Sequence, residues 1–296
     1  MEERMNITPH RNGLPGAQIT NIDVRALTPA DVRPLKVALA EHAVLVFRNQ
    51  SLTGDEYIAL GKKFDPLQCS IQNQWYHPQH PEIMLLSNII ENGRAIGQAD
   101  SNDGLWHTDH SYMVRPTGYT FLYAIETPPT GSDTLFVSTR HMYDQLSEED
   151  KERFQNIQIT YSSVKLTETV FDAHKKETGQ ETKVRMTEEQ KQKFPDVTHP
   201  LIRTHPIDGK TGLYFGAYQS AYIKGMDRKD GEAFVKDLVT RATQPENVYA
   251  HKWQPGDLVV WDNRGSLHAG TAYDRQHHRR LVWRITTESE QPYRAH

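Results

Sequence analysis

Gly256-Asp257-Leu258-Val259-Val260-Trp261-Asp262-Asn263 opens on a turn pair, runs through four apolar residues and closes on a second turn before His268. A short, wholly apolar run bounded by turn residues reads as a strand buried on both faces. The turn that follows delivers His268 to the start of the next strand. Outward from this stretch the chain holds further short strand signals, at 43–47, 83–90, 120–126 and 281–286, with alternation around 17–24. Strands at 201–204 and 213–215 are joined by the turn Asp208-Gly209-Lys210, and another covers 248–253. Helical patterns fall before or between them, at 31–42 after Thr28-Pro29, 55–64 after Ser51 and Thr53, 140–154 and 230–242. Many short strands with helices set beside them predict an α+β protein on a double-sheet jelly-roll core with flanking helices.

At 296 residues and 36% hydrophobic content, the chain can bury one sizeable core, so one domain over 1–296 is expected. Residues 166–194 are dense in Lys, Glu, Gln and Thr with few apolar anchors, which predicts a long insertion: a lid, or more plainly a solvated loop. A net charge of −4 and no Lys/Arg-rich run argue against nucleic acid as a partner. No apolar stretch has the length of a membrane span. The polar segment 1–16 lacks a signal-peptide core. With Cys69 the single cysteine, no intrachain disulfide can form, and a cytoplasmic protein is expected.

In Leu105-Trp106-His107-Thr108-Asp109, residues 107 and 109 point to one side if the backbone is extended. His-x-carboxylate is a weak signal alone: 15 histidines and 38 acidic residues give about two such pairs by chance, and His80-Pro81-Glu82 is one. A lone histidine such as His268 is also more often a satisfied structural residue than a ligand. The set of three carries the weight. Two histidines and one carboxylate on one face leave three positions open on Fe(II), as oxygenases require for a chelating cosubstrate and O₂.

Arg279-Arg280-Leu281-Val282-Trp283-Arg284 follows His268. A guanidinium here can grip a carboxylate with two parallel hydrogen bonds. In a strand, Arg280, Val282 and Arg284 share one face, the two arginines roughly 13 Å apart. That implies two anionic groups in one pocket, or one anion plus a structural ion pair; taken alone, Arg284 fits a surface ion pair better.

With these residues assembled, the chain resembles the taurine dioxygenase and 2,4-dichlorophenoxyacetate dioxygenase family over nearly its whole length. The resemblance lies in Trp106-His107-Thr108-Asp109, Pro128-Pro129-Thr130-Gly131-Ser132-Asp133-Thr134, Trp261-Asp262-Asn263-Arg264 ahead of His268, and Arg279-Arg280 with Arg284. It implies a double-stranded β-helix core, Fe(II) on His107, Asp109 and His268, and 2-oxoglutarate held by Thr134 and an arginine. Arg280 is the family's choice; the segment from His268 is one residue longer here, so Arg279 stays a second candidate. The resemblance also implies an arginine near Arg284 on the anionic group of a small organic acid. Gln74, Trp75 and Tyr76 on the loop 67–80, with His110 and Tyr112, are where further substrate contacts are expected. Asp262 and Asn263 read as turn residues bonded to local backbone.

The implied reaction consumes O₂ and 2-oxoglutarate, releases succinate and CO₂, and hydroxylates a sulfonate or carboxylic acid, with C–heteroatom cleavage, desaturation or rearrangement as other outcomes. A homo-oligomer is a family-level expectation. A non-catalytic, cupin-like ligand-binding protein is the rival of another class, and a zinc hydrolase on the same triad a third reading.

Overall fold

The computed structural model describes residues 5–10, 14–68, 75–99, 104–167, 187–216 and 220–293. Gln74 and most of the expected insertion, 168–186, lie outside the described residues, as do 100–103 ahead of the His-x-Asp segment.

The architecture mixes helices with sheet that is antiparallel except where β2 pairs with β3 in parallel. In chain order the first strands are β1 (Asn6–Pro9), β2 (Ala17–Thr20) and β3 (Val44–Phe47), with α1 (Pro29–His42) and α2 (Gly54–Phe64) around β3. Next come β4 (Tyr76–His77), β5 (His80–Ser87), the small hairpin β6 (Ile90–Glu91) and β7 (Arg94–Ala95), β8 (Thr117–Glu126) and β9 (Thr134–Ser138). Helices α3 (Thr139–Asp144) and α4 (Glu148–Phe154) precede β10 (Gln158–Tyr161) and α5 (Glu188–Lys193). The strands β11 (Val197–Pro200), β12 (Ile202–Thr204), β13 (Thr211–Leu213) and β14 (Ser220–Ile223) lead to α6 (Arg228–Ala242). The chain ends in β15 (Tyr249–His251), β16 (Leu258–Asp262), β17 (Ser266–Gly270) and β18 (Leu281–Glu288).

Eight strands form one sheet in the order β1-β2-β3-β16-β8-β18-β5-β4, and β15-β9-β17 form a smaller one. Side-chain alternation divides the core into layers. Leu258 and Val260 of β16, with Tyr119, Phe121 and Tyr123 of β8 and Ile285 of β18, pack beneath α1 and α2 through Leu35, Leu39, Tyr57 and Phe64. Val259 and Trp261 point the other way, with Leu122, Ala124 and Val282, and meet Phe136 of the smaller sheet. The expected run at 258–261 is thus a strand buried on both faces. A third cluster joins α3 and α6 to β10, β12 and β13 through Met142, Leu238, Ile159, Ile202 and Leu213.

The sequence pattern is corrected in detail. The helix expected over 140–154 is two helices, because Ser147 accepts a hydrogen bond from the Asp150 N–H and caps a new start. The loop expected over 67–80 contains β4, paired with β5. Strand β9 carries no strong period-2 signal, and β10 is a further strand outside the expected set, although Ile159 and Tyr161, with Ile157 just before it, alternate with polar residues there. His268 stands in the middle of β17, not at its start. Among the described residues no helix is long and apolar enough to cross a membrane.

Candidate metal centre

The two sheets bring His107, Asp109 and His268 together. His107 lies outside the named strands but forms an antiparallel bridge with His268. The His107 N–H donates to the His268 carbonyl and the His268 N–H to the His107 carbonyl, both at 2.9 Å. Such a pair sets both side chains on one face of the ladder, and Asp109, in the turn two residues on, is held against them by Thr120, Arg284 and Asn263.

The donor atoms of the three side chains all lie within 4.8 Å of one another, and all three residues are buried. His107 Nε2 is 3.9 Å from Asp109 Oδ1, and His268 Nε2 is 3.9 Å from Asp109 Oδ2. These gaps are too long for hydrogen bonds and within the span of two ligands on one ion. His107 Nδ1 faces the Leu105 carbonyl at 2.9 Å. A carbonyl only accepts, so Nδ1 bears the proton and Nε2 keeps its lone pair for a metal. The donor set therefore fits a divalent ion with an open coordination sphere.

Asp109 is held from three sides. Thr120 on β8 donates to Oδ2 at 2.6 Å and Arg284 Nη2 to Oδ1 at 2.6 Å. The Asp109 N–H donates to Asn263 Oδ1 at 3.1 Å, and Asn263 Nδ2 donates to Thr120 Oγ1 at 2.9 Å. Burial opposes charge on Asp109, but Arg284, His268 and His107 outweigh it and hold the carboxyl well below its ordinary pKa. Burial, with His107 close by, pushes His268 well below its ordinary value.

Asn263 was expected to serve the local backbone. Instead it joins the turn after β16 to the metal-facing carboxylate, and takes the Trp261 indole N–H at 3.1 Å as well. Asp262 accepts from the Arg264 backbone, as a turn residue should, but also forms a buried ion pair with Arg264 at 2.7 Å and contacts His205 at 3.1 Å. Arg264 and His205 together hold its carboxyl far below the usual range against burial.

One cavity adjoins the three donors, and Thr134, Arg280 and Arg284 line it with Gln98 and Trp261. Thr134 is the first residue of β9. The turn before it requires Gly131, whose φ is +72° and whose added Cβ would come within 2.5 Å of the Ala272 carbonyl. Arg280 is buried, its N–H tied to Asn88 and its carbonyl to the Ser87 hydroxyl. Arg279 turns outward, with its side chain 62% exposed, and pairs with Glu126 at 3.1 Å.

Of the other expected substrate contacts, Gln74 lies outside the described residues, and Trp75, Tyr76, His110 and Tyr112 do not line this cavity. His110 turns its ring to Gln68 Oε1 and Thr117 Oγ1, at 2.9 and 2.8 Å. Its pKa is pushed down to about 4 by burial, then by Arg284. Tyr112 stands edge-on to His110 at 5.7 Å and packs on the third cluster. Trp75 and Tyr76 are half-buried, and Tyr76 pairs with Met84 across β4 and β5. Sequence reasoning missed Thr120 and Gln98, which stand in no recognisable motif; only their strand neighbours place them.

The family model described as taurine catabolism dioxygenase TauD, TfdA family matches residues 6–286. The alpha-ketoglutarate-dependent 2,4-dichlorophenoxyacetate dioxygenase of Burkholderia sp. (strain RASC) is 34% identical over 268 residues, 87% of this chain and 86% of that protein. Pentalenolactone F synthase of Streptomyces arenae is 32% identical over 302 residues, 98% of this chain and 99% of that one. The crystal structure of AAD-2 in complex with Mn(II) and N-oxalylglycine superposes with a TM-score of 0.79 at 29% identity, covering 98% of this chain and 99% of that one. Fold, site and relatives define an oxidoreductase that works with Fe(II), 2-oxoglutarate and O₂. The chain belongs to the taurine catabolism dioxygenase TauD, TfdA family.

Proposed function

We propose that the protein hydroxylates a small organic acid, a carboxylate or sulfonate, within a single catalytic domain whose two facing sheets form a double-stranded β-helix core. The observation that carries this reading is the cavity itself: three metal-type donors at one end, and two arginines and a threonine along its wall. His107, Asp109 and His268 would hold Fe(II), which supplies O₂ activation coupled to decarboxylation of 2-oxoglutarate.

Thr134 and Arg280 are assigned to the far carboxylate of 2-oxoglutarate. Arg280 supplies a forked cation and Thr134 a hydroxyl, and burial of both strengthens their hold on an anion. Arg279 is not assigned there, because it faces solvent. Arg284 spends one N–H on Asp109 and has further donors for the anionic group of the substrate. The relatives named for 2,4-dichlorophenoxyacetate and for sulfonate support an acid as substrate. Leu86, Leu122 and Trp261 add an apolar wall for its carbon skeleton. Trp75, Tyr76, His110 and Tyr112 remain proposed as outer contacts, reached only by a substrate larger than this cavity.

Anaerobically prepared protein given Fe(II), 2-oxoglutarate and then O₂ is the test, run against aryloxyalkanoic, sulfonic and other small carboxylic acids. Succinate should appear in step with loss of one class of acid. Turnover with Zn(II) in the absence of O₂ would favour a hydrolase. Tight acid binding without succinate would favour a non-catalytic binding protein.

A further inference from the structure

We propose that Trp253 is a positioning residue that fixes the Thr134 hydroxyl as a hydrogen-bond donor into the cavity, making that end of the pocket selective for a carboxylate. The inference rests on the assignment of Thr134 to 2-oxoglutarate. The Trp253 indole N–H points at Thr134 Oγ1 at 3.0 Å, and the contact is buried. An indole N–H can only donate, so Thr134 must accept with one of its lone pairs. The threonine's own proton is thereby turned away from the indole.

What surrounds Thr134 gives that proton a direction. Its backbone is fixed on both sides, opposite His251 on β15 and Gly270 on β17. Thr134 lines the same cavity as Arg280. With one hydroxyl lone pair taken by the indole, the Thr134 O–H and the Arg280 guanidinium of the same cavity present donors to a ligand. A carboxylate satisfies both, whereas an amide or alcohol would leave a buried donor poorly matched.

The indole is itself held without help from a ligand. Trp253 packs edge-on to His251 with ring centres 4.6 Å apart, inside the cluster that contains Phe136 and Trp261. His251 is gripped by Asp257 Oδ2 at 3.1 Å and by the Tyr249 hydroxyl at 3.0 Å. The same Asp257 oxygen accepts from the Gln254 N–H at 2.8 Å and pairs with Arg48, which fixes the chain on the other side of Trp253. The donor geometry is thus built before 2-oxoglutarate arrives.

Anaerobic titration of the Fe(II)-loaded protein with 2-oxoglutarate, followed by calorimetry and by charge-transfer absorption, tests this. Trp253→Phe keeps an aromatic ring and removes the N–H. Its dissociation constant for 2-oxoglutarate should rise about three- to tenfold, with Fe(II) affinity unchanged. On a Thr134→Val background the same substitution should cost nothing further, because its effect passes through the hydroxyl. An equal loss on both backgrounds, or no loss in Trp253→Phe alone, overturns the inference. If Thr134→Val itself leaves 2-oxoglutarate binding intact, the assignment of Thr134 has failed instead. Should Trp253→Phe not fold, benzothienylalanine at position 253, which has the indole's shape without its N–H, takes its place with the same expected outcomes.

Discussion

His107 and His268 exchange both of their backbone hydrogen bonds, each at 2.9 Å, so the two imidazoles are set side by side by the main chain before any metal is considered. Their ring centres are 4.1 Å apart. Asp109, by contrast, is placed by side chains: Thr120, Arg284 and the amide of Asn263.

The carboxylate should therefore be the sensitive member of the triad. Thr120→Val keeps the shape of the side chain and removes the 2.6 Å hydrogen bond to Oδ2. Asn263→Ala frees Thr120 and strands the Asp109 N–H together. Outer-shell partners of this kind set metal affinity by about 10- to 100-fold. Mn(II) or Fe(II) affinity by competition with a chelator should fall accordingly in both variants, while Gln98→Ala, in the same cavity, should leave it unchanged.

Arg280 and Arg279 are neighbours with opposite environments, one buried on the cavity and one in solvent on Glu126. Arg280→Lys keeps the charge but loses the fork, and should raise the KM for 2-oxoglutarate by about tenfold or more. Arg279→Ala should change it less than twofold, an exposed ion pair contributing about 0–1 kcal/mol to stability. Comparable effects of the two would mean that the longer segment after His268 places the grip differently.

The elements legible in the sequence were those whose signal is local. The apolar run at 258–261, the capped starts at Thr28 and Thr53 and the His-x-Asp pair all sit within a few residues of their own explanation. Arg280 and Arg284, expected on one face, both line the cavity, and Arg284 also pairs with Asp109. Thr120, Trp253 and the role of Asn263 were not legible. Each acts across a strand pairing or a turn, at partners 11 to 154 residues away in the chain, and no period or spacing encodes such a meeting.

Acid should destabilise the fold partly through His199, which is 1% exposed and lies against Tyr161 and Tyr214. Burial pushes its pKa from 6.5 down to about 4, the hydrogen bond from Nε2 to the Met113 carbonyl acting the other way. The unfolded chain takes up this proton near pH 6.5 and the folded chain only near pH 4. The contribution is therefore complete above pH 6.5, is lost as pH falls through that window, and amounts to about 3 kcal/mol at most. His199→Phe should lower stability at pH 7, since it strands a carbonyl. Its Tm should nevertheless fall less than the parent's between pH 7 and pH 5, and parallel curves would remove His199 from the account.

In the proposed assignment, Arg284 is the residue on which metal and substrate converge. One of its N–H groups is committed to Asp109 at 2.6 Å, and Nη1 lies 3.9 Å from the Met84 sulfur. Removing the side chain takes away a cation from the cavity and a support from the carboxylate, so Arg284→Ala should act twice. Affinity for the anionic substrate should fall by about tenfold or more, since a charge-assisted contact in a buried site is lost. Metal affinity should fall by less, because Thr120 still holds the other oxygen of Asp109. 2-Oxoglutarate, assigned to Thr134 and Arg280, should bind nearly as before once metal is saturating. The three constants, measured anaerobically in one preparation, separate these effects. A loss shared equally by substrate and 2-oxoglutarate would show that Arg284 serves the metal alone.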